Sequence, residues 1–271
     1  MHQLTVARIS SLALAALLTG APAAAQSPQP VTVLYAASLV TPMEGPVARE
    51  LRAEDVEFNG EPGGSKKLAN LIAAGARTPD VFICVDPAIL TGLGASVASS
   101  TTFARTELGV AWSPKTHYAQ VLATLNASKA NVWDVLSTPG LRIGRTDPRL
   151  DPKGAYTLQA VKALAGARES ALLGDDENPQ QIFPEEDLLA RVETGEIDAG
   201  FFYRTEAIAR GYQFYPLPPG SGTEIRYALG VMKDAPHPDA AKRFADFILH
   251  GRGRALLEQA GLEYLTPPGI R

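Results

Sequence analysis

An α/β fold in two sets of strands and helices is predicted by three features of this 271-residue chain. Short runs of β-branched, aromatic and aliphatic residues recur, such as Val31–Tyr35 (VTVLY) and Val81–Val85 (VFICV), and read as buried strands. Segments with apolar residues at helical spacing lie between them. The order strand, helix, strand, helix, strand implies parallel βαβ units, and the pattern starts again near Leu108.

In order, Val31–Tyr35 is the first strand, and Thr41-Pro42-Met43-Glu44 opens a helix with Pro in its first turn. Asp55–Phe58 is a second strand. A loop, Gly60-Glu61-Pro62-Gly63-Gly64, leads to Ser65, which opens a helix reaching Gly75. Pro79-Asp80 precedes the third strand, Val81–Val85. In the second set, Leu108–Trp112 is a strand before a Pro break, and Val132–Leu136 a short amphipathic helix. Arg142–Gly144 starts a strand that ends at Asp147-Pro148-Arg149-Leu150-Asp151-Pro152-Lys153-Gly154, and Tyr156–Ala165 has helical spacing. Glu185–Thr194 is a helix stopped by Gly195, and Ile197–Tyr203 the strand after it. Ile225–Met232 is a strand, and Pro238–Leu249 and Arg252–Gln259 are helices.

The first 25 residues read as an export signal: Arg8 is the positive start, Ile9–Leu18 the apolar run, and Ala23 and Ala25 the small-x-small cleavage pattern. Cleavage after Ala25 is expected. The apolar run is shorter than the roughly 20 residues of a membrane span. No Cys follows the small residues, so a lipid anchor is not expected and the mature protein should be soluble outside the cytoplasm.

The chain is 45% hydrophobic and 20% charged, which suits a globular protein with a core. Its formal net charge is -4, and Arg8 is the only charge that cleavage removes, so the mature form is still more acidic. Such a surface has no general attraction for nucleic acid or anionic lipid; an anion would have to be bound by local, directed donors. Cys84 is the single cysteine, so no internal disulfide is possible, and its apolar setting predicts a small buried hydrophobe.

Chemistry is concentrated where strands meet helices. Ser38 follows the first strand, Ser65 opens a helix behind Gly63 and Gly64, and Gly154 lies in the helix start after Asp151. In parallel α/β sheets ligands sit at the carboxyl ends of strands. Helix starts offer free N–H groups and a partial positive charge, and hydroxyls add neutral donors. Either serine alone also fits an ordinary N-cap. Asp147 and Asp151 cut the other way. A bound anion would be repelled unless it or the carboxylate carried a proton, or a metal centre accepted the oxygen; turn formation by Asp-Pro is the competing reading.

Enzyme signatures are absent: there is no G-x-S-x-G, H-E-x-x-H or P-loop, and the four histidines are scattered. Lys66-Lys67 reads as a solvated helix face, and Glu185-Glu186-Asp187 as acids placed at a helix start by its dipole.

Five motifs, in order, resemble the periplasmic molybdate-binding proteins, and the last two resemble the tungstate/molybdate-binding branch even more closely. They are Tyr35-Ala36-Ala37-Ser38-Leu39, Gly64-Ser65-Lys66-Lys67-Leu68-Ala69, Pro79–Asp86, Thr146–Gly154 and Gly195–Arg204. The resemblance runs collinearly from Val31 to about Gly261. It implies a type II periplasmic-binding-protein fold, with two α/β lobes joined by crossing strands and a ligand closed between them. On that basis 1–25 is the signal, 26–108 with 229–271 one lobe, and 109–228 the other. It further implies a monomer that delivers molybdate or tungstate to an ABC importer, with no catalysis and no cofactor.

By similarity, Ser38 and Ser65 would donate hydroxyl and N–H bonds, Tyr203 its phenol, and backbone N–H groups near Lys153 and Glu185 the rest of the shell. Asp151 matches an Asp that can coordinate the metal centre directly in that branch. Two positions depart from the pattern: Phe202 replaces a Glu that precedes the tyrosine, and Cys84 stands where Ser is frequent. Two alternatives stay open. One is the same fold binding sulfate, phosphate or a small organic anion, clamped by Arg145, Arg149 or Lys153. The other is an exported hydrolase with Ser38 or Ser65 as nucleophile, which has no His partner in either motif.

Overall fold

The computed structural model describes residues 28–128, 130–174, 180–218 and 225–265. The expected signal, 1–25, lies outside the described residues.

The chain opens with β1 (Gln29–Ala36) and a 3₁₀ turn, Ala37–Leu39. Next come α1 (Val40–Pro42), a π-helical turn at Met43–Val47 and α2 (Ala48–Ala53). Pro46 lies inside the π turn, where its missing N–H interrupts the regular ladder. β2 (Val56–Gly63), α3 (Ser65–Ala73), β3 (Val81–Val85), α4 (Pro87–Gly92) and β4 (Val97–Thr106) complete the first run. The second holds β5 (Leu108–Trp112), α5 (Ala119–Ala127), α6 (Val132–Leu136), β6 (Ile143–Thr146), α7 (Pro152–Leu164) and α8 (Glu169–Leu173). It continues with β7 (Ile182–Phe183), α9 (Glu185–Thr194), β8 (Ala199–Tyr203), α10 (Arg204–Arg210) and β9 (Gln213–Pro216). The chain ends with β10 (Ile225–Met232), α11 (Pro238–Leu249), α12 (Arg252–Gln259) and β11 (Glu263–Tyr264).

These strands form two mixed sheets, ordered β11-β4-β10-β3-β1-β2 and β7-β6-β8-β5-β9. β1 pairs in parallel with β2 and β3, as the βαβ order predicts, whereas β10 returns antiparallel between β3 and β4. In the second sheet β6 is parallel to β7 and β8, and β5 is antiparallel to β8 and β9. The second sheet is therefore inserted between β4 and β10 of the first. The chain crosses at Glu107 and returns ahead of Ile225, so β10 runs through position 229, where the second segment of the first lobe is expected to begin.

Each sheet is covered by helices. β3 and β5 are buried along their whole length, which explains their unbroken apolar sequences. Leu34, Phe82, Cys84 and Ala228 pack with Leu68 and Leu90 of α3 and α4. The opposite face of the first sheet joins a core that runs on into the second lobe, through residues such as Tyr227, Val110 and Tyr203. A third cluster lies under α9 and holds Phe202 with Leu188 and Val192.

Candidate functional site

The carboxyl ends of β1, β2 and β3 in the first lobe meet those of β6 and β8 in the second. Ser38 sits in the 3₁₀ turn after β1, buried, with its Oγ 2.7 Å from the Tyr227 hydroxyl. Ser65 begins α3, and its Oγ accepts the Val85 N–H at 3.0 Å. Tyr227 stands opposite Val85 in the β10–β3 ladder, so both serines are tied to the same strand pair. The Ser38–Tyr227 contact uses one proton of that pair, the Tyr227 hydroxyl also interacts with Thr205, and the Ser65 oxygen accepts here without using its own proton.

Across the seam, Asp151 caps α7: its Oδ1 accepts the Lys153 N–H at 3.0 Å, and Pro152 occupies the first turn. Its other oxygen, Oδ2, is buried with no hydrogen-bond partner among the described residues. Tyr203 ends β8 at 1% exposure, and its hydroxyl is likewise buried without a partner. Its ring meets that of Tyr227 edge-on, with centroids 6.4 Å apart. Burial, and then the Asp151 carboxylate, push the Tyr203 phenol well above its ordinary range, so it remains a donor. Burial also pushes up the Tyr227 phenol, against the opposing bond from Ser38.

The seam is shut. The Lys67 N–H donates to the Leu150 carbonyl at 3.2 Å, and Lys66 Nζ donates to the Pro148 carbonyl at 3.0 Å. Lys66, which the sequence places on a solvated face, therefore bridges the lobes. A Cβ on Gly64 would stand 2.9 Å from the Leu150 carbonyl oxygen, closer than atoms tolerate, so glycine is what allows this approach. Gly154 plays the same part inside the second lobe, where a Cβ would fall 2.3 Å from the Thr146 carbonyl oxygen. Beside the seam lies a cavity of about 400 Å³, lined by residues including Gly64, Leu150, Asp151, Phe183 and Glu185.

Lys153 is fully buried rather than projecting into the cleft. Its ammonium bonds Glu206 Oε1 at 2.6 Å and Glu185 Oε1 at 3.4 Å. Burial pulls the Lys153 pKa down, but the Glu206, Glu185 and Asp151 carboxylates outweigh it and leave it raised, so the ammonium stays charged. Glu185, expected as a dipole-complementing acid, is thus also half of an internal ion pair. Of the backbone N–H groups near Lys153, that of Lys153 itself donates to its own cap, Asp151 Oδ1. Asp147 behaves as the turn reading predicts: its carboxylate accepts the Arg149 N–H at 2.8 Å and pairs with the Arg149 guanidinium. That pairing holds the Asp147 carboxyl below its usual range, against the smaller opposing effect of burial.

Neither departure from the family pattern faces the hydroxyls. Phe202 is fully buried in the cluster under α9, and Cys84 packs beneath α3 and α4, where burial pushes its thiol up to about 12. Cys84 is an inert core side chain. Tyr227 and Glu206 are the site residues that sequence reasoning missed. The only available signal was that Ile225–Met232 reads as a strand, which says nothing of what Tyr227 faces.

Two α/β lobes closed over buried neutral donors at strand ends define a two-lobed binding protein. Residues 31–263 match the family of bacterial extracellular solute-binding proteins, and the chain belongs to it. It is 34% identical over 191 residues to "Putative ABC transporter molybdenum-binding protein HVO_B0369" of Haloferax volcanii, an alignment spanning 69% of this chain but only 59% of that relative. It is 24% identical over 327 residues to the molybdate/tungstate-binding protein WtpA of Pyrococcus abyssi, covering 96% of this chain and 93% of the other. Among solved structures, the Azotobacter vinelandii periplasmic molybdate-binding protein matches with a TM-score of 0.69 at 20% identity, over 88% of this chain and 99% of that one. That likeness shows the type II periplasmic-binding fold. Among the described residues no helix is long and apolar enough to cross a membrane.

Proposed function

We propose that this chain binds molybdate or tungstate between its lobes, outside the cytoplasm, and delivers it as a monomer to an ABC importer without transforming it. The relatives' names supply the ligand class, and the observation that carries the reading is that Tyr203 OH and Asp151 Oδ2, on the second lobe's side of the seam, are buried without a hydrogen-bond partner among the described residues. A buried anion needs directed donors, and the hydroxyls of Ser38, Ser65, Tyr203 and Tyr227 supply them. The Asp151 oxygen selects among anions. Sulfate, fully ionised and limited to four oxygens, would meet a bare carboxylate. Molybdenum and tungsten can accept that oxygen into an expanded shell.

The same oxygen favours one second reading, hydrogen phosphate, whose proton Asp151 would accept. The organic-anion clamp has less support, because Lys153 and Arg149 already hold carboxylates. Titration calorimetry with molybdate, tungstate, sulfate, phosphate and citrate separates these. Tight binding of both metal oxyanions and none of sulfate is expected. Heat from phosphate alone transfers the site to the second reading, and no heat from either metal oxyanion sinks the first.

A further inference from the structure

Lys153 is the least expected residue in the site. A lysine with no exposure loses all its hydration, and an apolar side chain of similar volume is often as stable in such a place. What Lys153 does have is position. Through the main chain it adjoins Asp151, whose Oδ1 holds its N–H. Through its ammonium it holds Glu206 Oε1, while Glu206 Oε2 accepts the Tyr203 N–H at 2.8 Å. Two of the residues with an unpartnered buried polar atom, Asp151 and Tyr203, are therefore both joined to Lys153. The starts of α9 and α10 converge on the same ammonium, through Glu185 and Glu206, and the Asp151 carboxylate at the start of α7 acts on it through space.

Charge points the same way. The groups facing Lys153 are Glu206 from α10, Glu185 from α9, Asp151 at the cap of α7, and the Phe202 and Tyr203 rings of β8 at 5.3 and 5.6 Å, with Tyr227 of β10 beyond Tyr203. Three carboxylates surround one cation in a wall that is to receive an anion.

We propose that Lys153 is a positioning residue for the anion site: it supplies the internal positive charge that lets this carboxylate-rich wall admit an anion, and it holds Asp151 and Tyr203 in place. The inference rests on the anion-binding reading for its ligand but not for its geometry. Without the ammonium, Glu206, already raised by burial, loses the influence that opposes the rise, and takes up its proton at higher pH. Anion binding should then improve as pH falls.

The test measures tungstate affinity by calorimetry from about pH 8 to about pH 5.5 in the wild type, Lys153→Met, Glu206→Gln and the double variant. Lys153→Met is expected to lose about tenfold or more at the alkaline end and to regain part of it at the acid end. The double variant restores the net charge and leaves an amide oxygen at position 206 as an acceptor for the Tyr203 N–H, so it should recover most of the affinity and a flat profile. Equal binding by Lys153→Met at every pH overturns the proposal, as does a double variant no better than the single, which would mark a purely structural residue. If Lys153→Met does not fold, Glu206→Gln decides: with one carboxylate fewer it should bind more tightly, and weaker binding overturns the idea. Hydrogen exchange at the Tyr203 and Lys153 amides of ligand-free protein should be faster in Lys153→Met. This last readout judges the tether even if the wild type binds neither metal oxyanion, which would overturn the ligand reading instead.

Discussion

The two lobes meet the site with different chemistry. The first offers hydroxyls that already have internal partners: Ser38 with Tyr227, and Ser65 with the Val85 N–H. The second offers charges, the Glu185 and Glu206 carboxylates on Lys153 with Asp151 acting through space, together with unpartnered polar atoms that include Asp151 Oδ2 and Tyr203 OH. A buried polar atom left unsatisfied costs about 1–3 kcal/mol. The first lobe is thus organised whether or not a ligand is present, whereas the second gains most when one arrives. On the proposed reading, ligand binding and closure would be coupled, because Asp151 and Tyr203 lie across a seam held by the backbone contact of Lys67 with Leu150.

Removing the preformed donors should produce the largest loss. The double variant Ser38→Ala, Ser65→Ala should weaken molybdate binding by more than ~2 kcal/mol, at roughly 1–3 kcal/mol for each bond to a charged group. Calorimetry reads this directly. The ligand-free protein should lose stability too, because alanine at these positions leaves the buried Val85 N–H without its acceptor and the Tyr227 hydroxyl without its partner. An unchanged affinity would remove the first lobe from the site and leave the fold as it is.

The division also explains what could be read from the sequence. Ser38 and Ser65 were legible because strand-to-helix mouths leave a local signature: an apolar run, a small residue, then helical spacing. β1, β3, β5 and β8 were legible because buried strands are written as apolar runs. β4 was not, since Val97–Thr102 (VASSTT) is largely exposed and shows no apolar alternation. α10 was missed because Tyr203 ends a strong strand signal and Arg204–Arg210 carries few apolar positions. The second lobe's charges were the hardest. Lys153 meets Glu206 53 residues away, and Ser38 meets Tyr227 189 residues away. Nothing near Lys153 in the chain marks its side chain as buried, so the sequence reading uses only the backbone N–H groups near it and keeps a cleft-facing cation for the organic-anion alternative.

Tyr203 tests the second lobe. Tyr203→Phe keeps the ring against Tyr227 and removes one hydroxyl, so it should weaken molybdate binding by about 1.5 kcal/mol, as for a bond to a charged group. Because the hydroxyl has no partner without a ligand, the unliganded variant should be as stable as the parent or slightly more so. Opposite signs for binding and stability are what a ligand-dependent donor predicts. A loss of stability equal to the loss of binding would show that the hydroxyl serves the fold, and would erase the contrast between the lobes.

The smallest effect is expected at Arg149. Its guanidinium is mostly exposed and turned back onto Asp147, two residues away in the same turn. Exposed ion pairs of this kind contribute about 0–1 kcal/mol to stability, and screening by salt limits the reach of the charge to about 8 Å at physiological ionic strength. Arg149→Ala should therefore change the Kd for molybdate less than about twofold, with the larger part of any change appearing at low salt, where long-range attraction speeds capture. Measuring affinity and association rate at two salt concentrations checks both statements. If the substitution instead abolishes binding at every salt concentration, Arg149 must leave Asp147 to grip the ligand. The second lobe would then recognise its anion by a charge-assisted clamp, as an organic carboxylate or phosphate ligand requires, rather than by the orphaned atoms of Asp151 and Tyr203.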